Sequence, residues 1–224
     1  LKIIDDPAAP PALAPCLDAV RRQNPFGGLR WYPGSPAIVR DALRPKDSAK
    51  CCELHPEERA ALERAIGGDP RIRVFDRDGY QAVRAFLPPK ERRGFVLIDP
   101  PFEEPGEYER LAHAIADGVA RWSGGVYMIW RPIKDETGYT AFLEAVAPLR
   151  LEKTLIATLA VAAAVEGRLT GSGLYIINPP FGLSDALAAI LRYLAARLAV
   201  APGGGWSLVE TEKGAEIRKE NGAA

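Results

Sequence analysis

Two short, uninterrupted apolar runs, Gly94–Ile98 and Gly125–Trp130, do most to limit the folds open to this chain. Runs that short and that apolar predict strands buried on both faces, as in parallel sheets covered by helices. Between them, Leu111, Ile115, Val119 and Trp122 recur at helical spacing, which predicts a helix over Glu107–Trp122. Strand, helix, strand is a βαβ unit, and the same alternation continues on both sides of it. The pattern predicts an α/β fold with a mostly parallel central sheet flanked by helices.

Upstream, Ala49–Glu53 and Arg71–Phe75 read as strands. Pro56–Ile66 reads as a helix with proline at its start and Gly67-Gly68 at its end. Gly79–Phe86 reads as a helix stopped by Pro88-Pro89. Pro33-Gly-Ser-Pro36 is a turn, after which Ala37–Leu43 forms a helix with Ser35 as N-cap and Pro36 at its first position. Downstream, Gly138–Ala147 is helical and Leu149–Ala163 begins as a strand, its Ala-rich end being compatible with helix. Leu174–Ile177 and Trp206–Val209 are strands, and Ser184–Leu198 is a helix. The organisation expected is a linker with part of a small helical insertion over 1–30, a catalytic domain over 31–212, and a polar tail over 213–224. Four prolines between Pro7 and Pro15 exclude a continuous helix there, and Cys16–Gln23 follows as a short one.

Composition narrows the chemistry. The chain has 224 residues, long enough to bury a core without staples. Lys+Arg and Asp+Glu are 29 each, so bulk charge does not hold nucleic acid, although a local basic patch is left open. The odd count of cysteines, Cys16, Cys51 and Cys52, fits no disulfide framework and points to a reducing cytoplasm. With only His55 and His113, and no C-x-x-C or H-E-x-x-H, no metal site is expected. Leu155–Val165 is too short to span a bilayer and Leu1–Pro15 is no signal peptide, so no membrane partner is expected. Neither G-x-G-x-x-G nor G-x-x-x-x-G-K-[ST] is present, which argues against a dehydrogenase and a P-loop enzyme.

In open α/β sheets ligands bind beyond the carboxyl ends of the strands. Three successive strands are followed there by carboxylates: Glu53, then Asp76 and Asp78, then Asp99. Any one of them can be explained as the cap of the next helix. The third opens Asp99-Pro-Pro-Phe102, which matches the [Asn/Asp/Ser]-Pro-Pro-[Tyr/Phe/Trp] signature of methyltransferases acting on exocyclic amino groups. Two prolines stiffen the loop and remove two N–H donors. Asp99 and the Pro100 carbonyl are then acceptors for the two hydrogens of an amino group, and Phe102 offers a face for a flipped base. Asn178-Pro-Pro-Phe181 spells the same signature. No glycine-rich strand follows it as a permuted order would require, so it reads as a turn late in the sheet.

The motifs together resemble the 23S ribosomal RNA adenine-N6 methyltransferase J family. The resemblance rests on Tyr32-Pro-Gly-Ser-Pro36, Glu53-Leu-His-Pro56, Asp78-Gly79, Arg92-Arg-Gly94, Leu97-Ile-Asp-Pro-Pro-Phe-Glu103, Trp130 with Pro132, and Gly173 through Asn178-Pro-Pro180. It implies a Rossmann-like S-adenosylmethionine-dependent methyltransferase fold, cytoplasmic, with 23S ribosomal RNA as partner; a monomer is favoured. Ser35 would contact S-adenosylmethionine, Glu53 would take its ribose hydroxyls, and Asp78 with Gly79 would hold its adenine. Asp99, Pro100 and Phe102 would be catalytic. His55 reads as a helix-entry residue. Phe102 replaces the family's tyrosine and drops a hydroxyl. The family's N-terminal glycine-rich cofactor loop has no match here, and Leu1–Gly28 resembles the segment after it. The expectation is therefore a chain lacking the first strand, beginning at Leu1 rather than Met. The alternative is a catalytically inactive RNA-binding or scaffold protein, which the retained Glu53, Asp78 and Asp99 disfavour. Arg131, Lys134 and Arg168 are the expected phosphate contacts; Lys90, Arg92 and Arg93 precede a strand and read as a solvated loop.

Overall fold

The computed structural model describes residues 3–134, 136–165 and 167–223. Leu1, on which the expectation about the chain's start turns, lies outside them. Contacts divide the chain into two units, Leu1–Ala82 and Val83–Ala224.

The first unit holds helices α1 (Ala14–Gln23) and α2 (Ser35–Ala42), strand β1 (Ala49–Cys52), helix α3 (Pro56–Ile66) and strand β2 (Ile72–Phe75). Helix α4 (Gly79–Phe86) starts in it. β1 and β2 pair in parallel, Cys52 opposite Phe75. α3 ends as its sequence prescribes, with Gly67 at φ 65° as a left-handed cap. Arg71, just before β2, donates to Leu43 O at 2.6 Å and to Arg40 O at 3.2 Å. That guanidinium supplies donors for carbonyls that the end of α2 leaves without helical partners. One detail differs from expectation: Gly34, not Ser35, is the N-cap of α2, and no side chain caps it. Pro36 inside the first turn lets the helix start one residue earlier.

The second unit is a six-stranded sheet in the order β3-β4-β6-β5-β7-β8. Its elements are β3 (Phe95–Ile98), α5 (Glu107–Arg121), β4 (Val126–Pro132), α6 (Glu136–Val146), β5 (Lys153–Ala160), β6 (Gly171–Ile177), α7 (Leu183–Leu198), β7 (Gly205–Glu212) and β8 (Ala215–Ala223). The α/β class holds, with helices against a central sheet. The sheet is not mostly parallel, however: β3/β4 is its one parallel pair, and β4/β6, β5/β6, β5/β7 and β7/β8 are antiparallel. Periodicity reports which faces are apolar and carries no information about strand direction.

β4 alternates from Val126 to Arg131. Tyr127, Ile129 and Arg131 are buried on one face, while Val126 and Met128 pack on the cluster of Leu155, Ile176, Leu191 and Leu208 beneath α7. On the first face Tyr127 donates its hydroxyl to Gly118 O in α5 at 2.7 Å. A Cβ on Gly118 would stand 3.0 Å from that ring, so glycine is what lets the helix lie so close.

Two further expectations are corrected. β3 is not buried on both faces: Phe95 is 48% and Leu97 36% exposed. Among the described residues β3 pairs only with β4, as the edge of its sheet. The polar tail is strand β8, joined to β7 through Lys213 (φ 50°) and Gly214 (φ 83°). Both turn residues have positive φ, the requirement of the two-residue turn that matches strand twist. β8 is polar because ion pairs hold it: Arg218 reaches Asp185 of α7 and Glu220, each at 2.6 Å. The Ala-rich stretch is not helix: β5 runs to Ala160, paired by β6 and β7 on both sides, and residues 161–164 follow as irregular chain. No helix among the described residues is long and apolar enough to cross a membrane.

Candidate active site

In the first unit the parallel register sets the residues after β1 and β2 side by side, so Glu53 and the Asp76–Gly79 turn share one end of the pair. Glu53 is half-buried, and its Oε1 accepts the His55 N–H at 2.8 Å. One carboxylate oxygen is thus held by the backbone and the other is open. His55 is the N-cap residue of α3, as its helix-entry reading expected, and its side chain makes no capping bond. Asp76 pairs with Arg59 at 2.7 Å. Asp78 Oδ1 accepts the N–H groups of Tyr80 (2.7 Å) and Gln81 (3.1 Å), capping α4. The helix-cap explanation therefore accounts for one oxygen of Asp78 and leaves Oδ2. A Cβ on Gly79 would meet nothing within 4 Å, so open space borders it. Ser35 is exposed, at the end of α2 opposite the Arg71 clamp, and its hydroxyl has no partner among the described residues.

This set of groups suits S-adenosylmethionine chemically. The open carboxylate oxygen of Glu53 has the capacity to accept from hydroxyls, Asp78 Oδ2 to accept from an amino group, and the Ser35 hydroxyl to donate or accept.

Asp99, Pro100 and Phe102 stand in the second unit. Ile98 pairs with Ile129, so the next step of the parallel ladder sets Asp99 beside Trp130 at the carboxyl end of β3 and β4. Unlike the carboxylates after β1 and β2, Asp99 makes no hydrogen bond or ion pair among the described residues. Partial burial pushes its carboxyl above the ordinary aspartate range. Pro100 is buried.

Phe102 shows how the loop is held. Its φ is 53°, an uncommon conformation for a bulky residue. Its ring is only 8% exposed, with centroids of Tyr108 at 4.8 Å and Trp130 at 6.2 Å. Its carbonyl accepts a hydrogen bond from Lys134 Nζ at 2.9 Å. A ring so covered anchors the loop and shows little free face for a base; half-buried Trp130 stands next to it. Behind them Tyr108, Tyr139, Phe142 and Tyr175 form one aromatic cluster, with Phe142 edge-on to Tyr175 at 5.4 Å.

Arg131 is not a phosphate contact. It is 5% exposed, stacked 3.6 Å over Tyr139 and paired with Glu136 at 2.9 Å. A Cβ on Gly173 would stand 2.8 Å from its Nε, so the facing strand leaves room for the guanidinium. Burial pushes the Tyr139 hydroxyl up to about 12. Lys134 is bonded to the motif loop, and Arg168 stays exposed. The lysine's role on the loop carries no local sequence signal, since 32 residues separate it from Phe102.

Asn178-Pro-Pro-Phe181 lies at the opposite rim. β6 runs antiparallel to β4, so Asn178 meets the amino end of β4, where its Nδ2 donates to Ser123 O and Gly125 O, both at 2.7 Å. Asn178, at φ 53°, is thus a structural clip.

Residues 1–210 match the family described as "Ribosomal RNA large subunit methyltransferase D, RlmJ". The chain belongs to that family. Members similar to it include ribosomal RNA large subunit methyltransferase J of Escherichia coli (strain K12), 36% identical over 196 residues, 87% of this chain and 70% of the relative. The protein of the same name from Haemophilus influenzae is 35% identical over 210 residues, 92% of this chain and 74% of the relative. Among solved structures, protein LPL1258 from Legionella pneumophila superposes with a TM-score of 0.82 at 29% identity, over 91% of this chain and 74% of that one. Against this RlmJ family background, Asp99 and its loop are the centre to test.

Proposed function

We propose that the chain transfers a methyl group from S-adenosylmethionine to the N6 amino group of an adenine in 23S ribosomal RNA. The observation that carries this reading is Asp99: a solvent-accessible carboxylate with no partner among the described residues, on a two-proline loop at the carboxyl end of a strand. When bound, S-adenosylmethionine supplies an electrophilic methyl group on a sulfonium. Ser35, Glu53, Asp78 and Gly79 are the residues proposed to hold it. Asp99 accepts one hydrogen of the exocyclic amino group, and the Pro100 carbonyl accepts the other. Accepting both concentrates electron density on the nitrogen and fixes its direction, and positioning of this kind supplies much of the rate. As the new N–C bond forms the S–C bond of the sulfonium would break, leaving a neutral thioether, and the surplus N6 proton would pass to water.

The test is incorporation of radiolabelled methyl into unmodified 23S RNA by the protein encoded from its start codon. Label on N6 of adenine is expected; no label, or label on another atom, overturns the reading.

Lys134 is a positioning residue in this scheme, because it fixes the Phe102 carbonyl. A hydrogen bond from a charged group contributes about 1.5–3 kcal/mol, so Lys134→Met is expected to lower kcat about 10-fold or more. KM for RNA stays near the parent value, and Lys134→Arg restores part of the rate. The opposite split, a raised KM at unchanged kcat, would instead make Lys134 a phosphate contact.

A further inference from the structure

The chain's charge is balanced overall but not locally. Residues 14–50 carry seven Lys or Arg against three Asp, an excess of four positive charges. Within that stretch the loop after α1 exposes its aromatic residues: Phe26 is 100% and Trp31 69% exposed. The loop is nonetheless built to a fixed shape. Gly27 and Gly28, at φ 79° and 74°, reverse the chain. The Asn24 side chain closes the loop on itself. Its Nδ2 donates to Val20 O (2.9 Å) and Trp31 O (2.7 Å), and its Oδ1 accepts the N–H groups of Arg30 (2.8 Å) and Trp31 (3.0 Å). Arg30 is exposed, with no ion pair among the described residues, whereas Arg21 and Arg22 on α1 are paired with Asp18 and Asp41.

Exposed aromatic rings on an ordered, positively charged loop suit one partner chemistry above others. Unpaired bases stack on aromatic faces and on guanidinium planes, while nearby cations meet the phosphates. We propose that loop 24–31 is a stacking platform for single-stranded RNA, gripping unpaired nucleotides of the substrate away from the methylated base. Phe26 and Trp31 receive bases and Arg30 a phosphate or a base face. This rests on the RNA-methyltransferase reading above and adds a substrate contact outside the residues assigned there.

The experiment uses the protein encoded from its start codon and a fluorescein-labelled stem-loop RNA with an unpaired adenine-containing loop. Anisotropy gives RNA affinity, calorimetry gives S-adenosylmethionine affinity, and circular dichroism gives the melting temperature. Phe26→Ala with Trp31→Ala is expected to weaken RNA binding by about 10-fold or more, the scale of losing base–aromatic stacking. S-adenosylmethionine affinity and melting temperature stay at the parent values. Trp31→Phe keeps a ring and restores binding, and Arg30→Glu weakens RNA while flattening the salt dependence. RNA affinity of the double variant within about twofold of the parent overturns the platform. So does equal loss of RNA and S-adenosylmethionine binding, which would place the loop in the cofactor site. So does a large fall in melting temperature, which would mean that protein covers the rings. A parent protein that binds no RNA overturns both this proposal and the proposed function, whereas binding by parent and variant alike overturns this proposal alone.

Discussion

Asp99→Ala is expected to lower kcat for methyl transfer by about 100- to 1,000-fold, the usual scale for removing a group aimed at the reacting centre. The reason is local. Nothing among the described residues competes for this carboxylate, and the loop that carries it is fixed by the Phe102 ring and by Lys134. Asp99→Asn separates charge from acceptor geometry, since the amide keeps one acceptor oxygen and never ionises. It is expected to retain more activity than the alanine variant. The pH dependence gives the second readout. The accepting form is the carboxylate, and partial desolvation raises its pKa, so the rate falls as pH drops through a value above the ordinary aspartate range. That acid limb disappears in Asp99→Asn. Stability runs the other way. A raised folded pKa means that the protonated group favours folding below its unfolded-chain value, and that contribution is lost as pH rises through the folded value. Asp99→Asn is therefore expected to melt no lower than the parent at neutral pH. An alanine variant with parental kcat, or an unchanged acid limb in the asparagine variant, would sink the assignment.

Phe142→Ala carries the largest expected loss of stability, about 3–5 kcal/mol for truncating a buried aromatic ring. For a domain of this size that is a fall of about 6–20 °C in melting temperature. Phe142 is 2% exposed, stacks with Tyr139 at 6.0 Å and meets Tyr175 edge-on. It also begins a line of rings that ends at the motif: Phe142 to Tyr108 at 6.2 Å, and Tyr108 to Phe102 at 4.8 Å. The cavity left by alanine removes the backing of Tyr108, so methyl transfer should fall at temperatures where the variant is still folded. Phe142→Leu fills more of the space and should lose less of both. Thermal melts with methyl incorporation at 25 °C check this; a variant melting within about 2 °C of the parent would remove Phe142 from the core that supports the loop.

The bounds of α3 and α4 follow directly from residues that punctuate the backbone: Pro56 and Gly67 around one, Pro88 after the other. The candidate site was legible as a set of motifs for the same reason, because its parts lie in loops that follow strands. What Asp78 does was not legible. A carboxylate at a helix start serves equally as cap or ligand, and only the bonds to Tyr80 and Gln81 show one oxygen committed to the helix. Phe102 reads as a stacking face because its spelling places an aromatic ring beside Asp99. Its burial comes from Tyr108 and Trp130, which no local pattern couples to it. β8 carries no strand signal in the sequence because its partners are charged: Arg218 and Glu220 give no apolar alternation, yet pair across to α7 and along the strand.

By itself the sequence determined the alternation of strands and helices, the positions of the carboxylates that follow the strands, and the motif order that points to the family. Periodicity, prolines and glycines act through the local backbone, so they can be read residue by residue. Only the tertiary structure decided that the six-stranded sheet is largely antiparallel, that β3 is an edge, and that Asp99-Pro-Pro-Phe102 and Asn178-Pro-Pro-Phe181 occupy opposite rims. These are facts about which segments meet and in what direction. They are set by long-range pairing and by burial against distant residues, and no window of local sequence contains them.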